Sequence, residues 1–393
     1  MNKITPSFLL VSLSLFLVAC STTSVKTTPT ESIIQPNPTA PVSEELLLDV
    51  GIDIFEPVPI ENNKEVVAEF SQILKAEANY IPIKIAETVQ SSGNWGAVRV
   101  VPNKQSEMDV WIDGQVIKSD GATLKLDITV RDATNKLWYS RRYQGEATRF
   151  AYKDRANKRN TEPFQYLYNQ IANDLVRYYE NINNEEIASI RTVSQLQFAQ
   201  RFSPEAFGNH TRTDNKGHLF ITRLPAKNDP LLQRIETIRE RDNLFVDTLQ
   251  DYYNNFARKM EAPYYEWRRA YYEEGEALRK VKAQSNQRLI GGALAVLAGI
   301  FSQNSGSAAA RTAGSVAILG GGAAVISGLN KREEAKIHIE ALQEISASLD
   351  AEIEPHTLSL KERSVTLTGS VTDQYGQWRE ILRDIYNNET GQI

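Results

Sequence analysis

Cys20 is the only cysteine in 393 residues, so neither a disulfide framework nor a thiolate metal cluster can be assembled. Histidine is almost as scarce. His210, His218, His338 and His356 are the whole set, none stands at a recognised metal spacing from another ligand, and each reads as a surface side chain. There is no Gly-x-Ser-x-Gly elbow, and Gly320-Gly321-Gly322 lacks the lysine and hydroxyl of a phosphate-cradling loop. The carboxylate pairs Glu273-Glu274 and Glu333-Glu334 lie in charged helical stretches. With nucleophile, base and oxyanion donors all missing, no enzymatic activity, cofactor or metal is expected. Positive charge is not in excess either: 44 Lys and Arg against 49 Asp and Glu give a net charge of −5, and no basic patch draws nucleic acid.

What is present belongs to a globular chain, 41% hydrophobic and 24% charged, with room for two or three domains at about 150 residues each. The sharpest signal is amino-terminal. A positive start ending at Lys3 precedes an eleven-residue apolar run, Phe8 to Val18, and Leu17-Val18-Ala19 leads into Cys20. As a helix the run reaches about 17 Å, well short of the roughly 30 Å hydrocarbon core, so it reads as an export signal rather than a span. The tetrad resembles the lipobox of bacterial lipoproteins. That resemblance implies cleavage before Cys20, with Leu17, Val18 and Ala19 read by the signal peptidase, and lipid attached to Cys20. Ser21, in place of an aspartate, implies sorting to the outer membrane. Residues 20–44, rich in Ser, Thr and Pro, are expected to be a disordered tether.

Residues 45–150 follow as a first folded unit. An apolar run from Leu46 to Phe55 is expected to be a buried strand stopped at Glu56-Pro57. Helical spacing runs through Val66, Phe70 and Leu74 and resumes after Pro82. Strands are then expected at residues 97–101, 109–117 and 124–132, with a polar turn at residues 133–136 and a returning strand from Leu137. The order strand, helices, strand, strand, hairpin resembles the small α/β domain of the curli-secretion-channel lipoproteins, the lipoprotein activators of peptidoglycan synthases and the amino-terminal domain of TolB. The pieces that carry the likeness are Asn94-Trp95 leading to Val101, Asp109 to Gly114 with Gln115-Val116, and the aspartate-turn-tryptophan pattern from Asp132 to Trp138. Such a fold does not transmit a function.

The middle is helical. Residues 151–228 hold two amphipathic helices able to form a hairpin, then a Gly- and Pro-bearing loop that suits an inter-domain joint. Residues 229–288 are expected to be one long helix that Pro263 kinks, its charges solvated or partner-facing in coiled-coil fashion. Its aromatics, from Tyr252 to Tyr272, offer either an interaction surface or packing. Residues 289–330 contain two Gly/Ala-rich uncharged runs that reach only about 20 and 27 Å as helices. Small side chains recur every fourth position at Ala313, Ala317 and Gly321, and again at Gly320, Ala324 and Gly328. The pattern resembles the glycine-zipper hairpins of some envelope lipoproteins and is read as self-association or membrane contact, against a private intramolecular hairpin. Residues 331–393 are expected to be a helix, two strands and a final helix, and Val365 to Ser370 resembles the second strand of BON-type domains.

The expected fold class is α+β: a small α/β domain, a long helical middle with a Gly/Ala-rich hydrophobic helical hairpin, and a small C-terminal α+β module. The expected role is that of a lipid-anchored, periplasm-facing subunit of a homo-oligomeric envelope assembly, related to secretion or export. The alternative is a monomeric regulator of another envelope protein. The expected partners are the membrane, through lipidated Cys20, further copies of the chain and other envelope proteins, with no nucleic acid.

Overall fold

The computed structural model describes residues 32–34, 43–57, 64–102, 107–147, 151–152, 162–302, 340–341, 343–344, 347, 356–359 and 364–391. Its fold class is α+β, as expected, with a mixed sheet at its centre. The elements run β1 (Val50–Asp53), β2 (Glu56–Pro57), α1 (Lys64–Ser91), β3 (Val98–Val101), β4 (Val110–Ser119), β5 (Thr123–Asp132) and β6 (Leu137–Glu146). Spatially the strands lie in the order β3-β1-β4-β5-β6. β1 is parallel to both its neighbours, β3 and β4, while β4, β5 and β6 form antiparallel pairs. A strand flanked on both sides must be apolar, and Leu48, Val50 and Ile52 are completely buried. Gly51 is required where Met108 and Trp111 cross it, since a Cβ there would lie 2.6 Å from the Met108 side chain.

Each of the two prolines of this region lies inside an element. The expected strand is split: β1 ends at Asp53, and after a two-residue break Glu56 and Pro57 form β2, which pairs in parallel with Gln115 and Val116 of β4. Pro82 lies inside one continuous helix, α1. A proline there deprives the carbonyl four residues earlier of its helical donor. That carbonyl belongs to Ala78, and the Phe55 N–H donates to it at 2.9 Å from the segment joining β1 to β2. The helix interruption is thereby converted into a tertiary hydrogen bond.

Next come α2 (Gln165–Tyr179), α3 (Asn184–Phe202), the single turn α4 (Pro204–Phe207) and the hairpin β7 (Thr211–Thr213) with β8 (Leu219–Ile221). The Asn183 side chain caps α3 by accepting from the Glu186 N–H at 2.8 Å. Rather than forming a hairpin with each other, α2 packs against α1 and β6 while α3 packs against α5 (Pro230–Ser302). The segment expected as a joint is stitched to the sheet. Leu219 N–H donates to the Thr134 carbonyl at 2.8 Å, and the Asn135 amide donates to the Gly217 carbonyl at 2.9 Å.

Helix α5 is 73 residues long and contains Pro263. It runs unbroken into residues 289–302, so the first Gly/Ala-rich run is the continuation of the long helix rather than a separate element. Its aromatic side chains are packing residues, not a free surface: Tyr253, Tyr264, Trp267 and Tyr272 are buried. Farther back along α5, Gln250 covers the exposed edge of β3. Its carbonyl accepts the Val100 N–H and its amide donates to the Val100 carbonyl, both at 2.9 Å.

The strands β9 (His356–Ser359) and β10 (Ser364–Leu367) pair antiparallel and lead into α6 (Val371–Thr390). Ser370 and Asp373 form a reciprocal cap at its start, and Gly391 ends it at φ +70°. Trp378 packs on Phe245 of α5 and Tyr386 on Phe202 of α3, at ring separations of 5.2 and 5.9 Å. One hydrophobic core therefore extends from Leu48 to Tyr386 across segments assigned from sequence to separate units.

Part of the expected tether is also fixed. Asn173 of α2, itself buried, accepts from the Ile34 N–H at 2.8 Å and donates to the Ser32 carbonyl at 2.9 Å. Asn94 donates to the Ile34 carbonyl at 2.9 Å. Disorder over the whole of residues 20–44 is therefore corrected, because two buried side-chain amides read the backbone of residues 32–34.

Candidate functional site

The polar segment Glu107-Met108-Asp109 enters β4 buried, and from there β4 presents Trp111 and Asp113 on one face. Arg131 of β5 stands directly opposite Trp111. Facing this strand wall, α3 presents Gln197, Gln200 and Arg201, spaced three and four residues apart and so on one helical face. The β5–β6 turn and the β7–β8 hairpin close one end with Asn135, Gly217 and Leu219. Together they enclose an open cleft of about 510 Å³.

Several lining groups are committed to the fold. Asp132 accepts from the Thr134 N–H at 2.9 Å and from the Trp138 indole at 2.8 Å, which fixes the turn in which Asn135 takes φ 63°. This is the physical content of the aspartate-turn-tryptophan pattern. Trp138 in turn stacks on Tyr178, at 4.7 Å between rings, and lies beside Trp95. Gln200 donates to Thr211 at 2.7 Å and to the Phe207 carbonyl at 3.1 Å. At the floor, Glu107 meets Arg201 and, at 3.6 Å, Arg379. Burial raises its carboxyl above the ordinary range against the pull of Arg379 and Arg201.

Behind the floor lies a buried ionic cluster. Arg379 of α6 donates to Asp242 of α5 at 2.7 Å. Arg239 donates to Ser194 at 2.8 Å and lies 3.9 Å from Asp109, which accepts from the Asp49 N–H at 3.0 Å. Asp49 accepts from the Ala97 N–H at 2.8 Å, and Arg99 pairs with Asp247 at 2.6 Å. Burial raises both Asp109 and Asp242 despite these cations.

A second buried cluster sits where α5 crosses α1. Glu77 is fully buried and accepts hydrogen bonds from Ser119 and Tyr264. The nearby Arg268 is engaged by Glu162, donating to it at 2.8 Å through one guanidinium nitrogen and stacking 3.8 Å over the Tyr264 ring. Desolvation holds the Glu77 carboxyl at about 7 even though the two hydroxyl donors and Arg268 pull it down.

None of the site residues expected from sequence falls in these places. Leu17, Val18, Ala19 and Cys20 lie outside the described residues, as do Ala313, Ala317, Gly320, Gly321, Ala324 and Gly328. His338 lies there too. The expectation of four surface histidines is corrected at His210, which is buried with its Nδ1 3.0 Å from the Arg223 carbonyl. His218 sits 3.4 Å from Asp214 near the surface, and His356 begins β9. Among the described residues no group of three His, Cys, Asp or Glu could hold a metal ion, and no helix is long and apolar enough to cross a membrane. No protein-family model matches the sequence, and the comparison with curated proteins found no match.

Proposed function

We propose that this protein is a non-enzymatic, lipid-anchored component of the bacterial outer membrane, acylated at Cys20, whose body is one subunit of a homo-oligomeric, export-related assembly facing the periplasm. The observation that carries this reading is the continuity of α5. The helix is bound into the core as far as Tyr272 and then continues to Ser302, through the first Gly/Ala-rich run. Those last thirty residues correspond to about 45 Å of helix. A continuous helix of that length ties an uncharged, small-residue segment to the folded body, which suits contact with another copy or with lipid. The seat of residues 32–34 supports the same arrangement. Only eleven residues lie between Cys20 and Ser32, at most about 40 Å of extended chain, so the folded body stays close to its anchor.

The test is the native mass of the detergent-solubilised mature protein. A homogeneous multimer that collapses to monomer when residues 289–329 are deleted is the expected result; a monomer with that segment intact removes the reading. Labelled fatty acid should be incorporated by the parent and not by Cys20→Ser. A second reading, a monomeric regulator of another envelope protein, is favoured by the open cleft, which leaves a recognition surface on the body itself. Crosslinking would then recover a heterologous partner whether or not residues 289–329 are present.

A further inference from the structure

We infer that the cleft between β4–β5 and α3 is a saccharide-binding site, specific for a pyranose ring with free hydroxyls. The inference rests on the folded body alone and is independent of acylation and of oligomeric state. Its volume, about 510 Å³, falls within the roughly 300–1,000 Å³ typical of small-molecule sites. The chemistry of the lining then selects the occupant by elimination. Trp111, Ala133 and Leu219 are too few to hold an apolar ligand among so many polar neighbours. A phosphate or nucleotide requires surplus positive charge, whereas among the lining residues the acids Glu107, Asp113 and Asp132 outnumber the cations Arg131 and Arg201. A cation gains little, since Glu107 already pairs with Arg201 and Arg379 and Asp132 is spent on its turn.

A neutral polyol meets none of these objections. Hydroxyls donate and accept at once, and the lining offers both roles after its internal bonds are counted. Gln200 and Asn135 spend their amide N–H groups on Phe207, Thr211 and Gly217, which leaves their carbonyl oxygens as acceptors. Arg131 makes one long bond of 3.4 Å, to the Asn135 carbonyl, and keeps further donors. Gln197, half-buried on the opposite wall, supplies an amide with both a donor and an acceptor. Trp111, half-buried on the strand wall, is the aromatic member of the lining and supplies apolar surface for the C–H groups of a sugar ring.

The experiment is titration calorimetry of the detergent-solubilised full chain with two probes, the β-1,4-linked trimer of N-acetylglucosamine and maltotriose. One-site saturable binding of at least one is expected. Preference for the first identifies an amino-sugar glycan, and preference for the second a plain glucan. Trp111→Ala should weaken binding about tenfold through loss of the aromatic surface. Because Trp111 also covers Gly51, the decisive variant is Gln197→Ala, which should weaken binding about fivefold, as one hydrogen bond is worth, with an unchanged melting temperature. Absence of binding by both trisaccharides in the millimolar range overturns the inference. So does binding that neither substitution alters.

Discussion

Helix α5 is fastened to the body at two buried polar junctions that solve the same problem in opposite ways. Around Glu107, Asp109 and Asp242 cations are plentiful, with Arg239 and Arg379 near several acids and Arg191 and Arg201 adding to them. Around Glu77 and Glu162 the one guanidinium among the described residues is that of Arg268, and Glu162 takes it, leaving Glu77 to neutral hydroxyl donors. The first junction tolerates the loss of one member because others remain. The second depends on a single cation, while both junctions hold buried acids whose protonation responds to pH. Redundancy of counter-charge, not depth of burial of the acids, separates them, since Glu107, Asp109, Asp242 and Glu77 are all buried.

Four experiments sharpen that contrast, in falling order of effect. Arg268→Met strands Glu162 and leaves two buried acids facing each other, and should cost about 3–5 kcal/mol in urea unfolding. A loss below 1 kcal/mol would show that the junction is not held by its cation. The pH response of Glu77 comes next. Its native carboxyl titrates at about 7, above the ordinary 4.5, so the folded state retains a proton that the unfolded state has released. Stability should fall as pH rises from about 4.5 to 7 and level off above that, by about 3 kcal/mol at 1.36 kcal/mol per unit. Glu107, Asp109 and Asp242 are shifted in the same direction, so the Glu77 contribution is the difference between the parent and Glu77→Gln, whose profile should be flatter. Arg379→Met should cost about 2 kcal/mol, because Arg239 still faces Asp242 and Arg201 still faces Glu107. Hydrogen exchange on α6 would report it. The smallest effect is that of Gln250→Ala, about 1 kcal/mol, seen as faster exchange of the Val100 amide.

The strands and most helices of the sheet domain were legible because their burial is periodic. β5 alternates strictly between buried and half-buried positions, and the Asp132–Trp138 pattern encodes a specific turn. What could not be read was contributed across long separations. Glu77 sits in a helix and meets Tyr264, 187 residues away; Arg268 meets Glu162, 106 residues away. A charged residue counts as solvent-facing in any periodicity argument, and only a partner elsewhere in the chain reverses that. Pro82 misled for a related reason, since its cost is offset by Phe55 from another segment. The cleft draws on β4, β5, α3 and a hairpin; the patterns Asp109 to Gly114 and Asp132 to Trp138 mark the strand wall, but nothing in the sequence sets α3 and the hairpin against it. Asn94 stands just before a strand in the sequence, but its grip on Ile34 needs Asn173 beside it.

The cover that Gln250 places on Val100 comes from 150 residues downstream. At the usual pace of about 5–20 residues per second, a ribosome needs roughly 8–30 seconds to supply it. Throughout that interval the nascent chain carries a completed strand rim with its amides and carbonyls unclaimed, open to pairing with a neighbouring nascent copy. The protein thus has a built-in reason to be kept unfolded by escorts until Gln250 has been made.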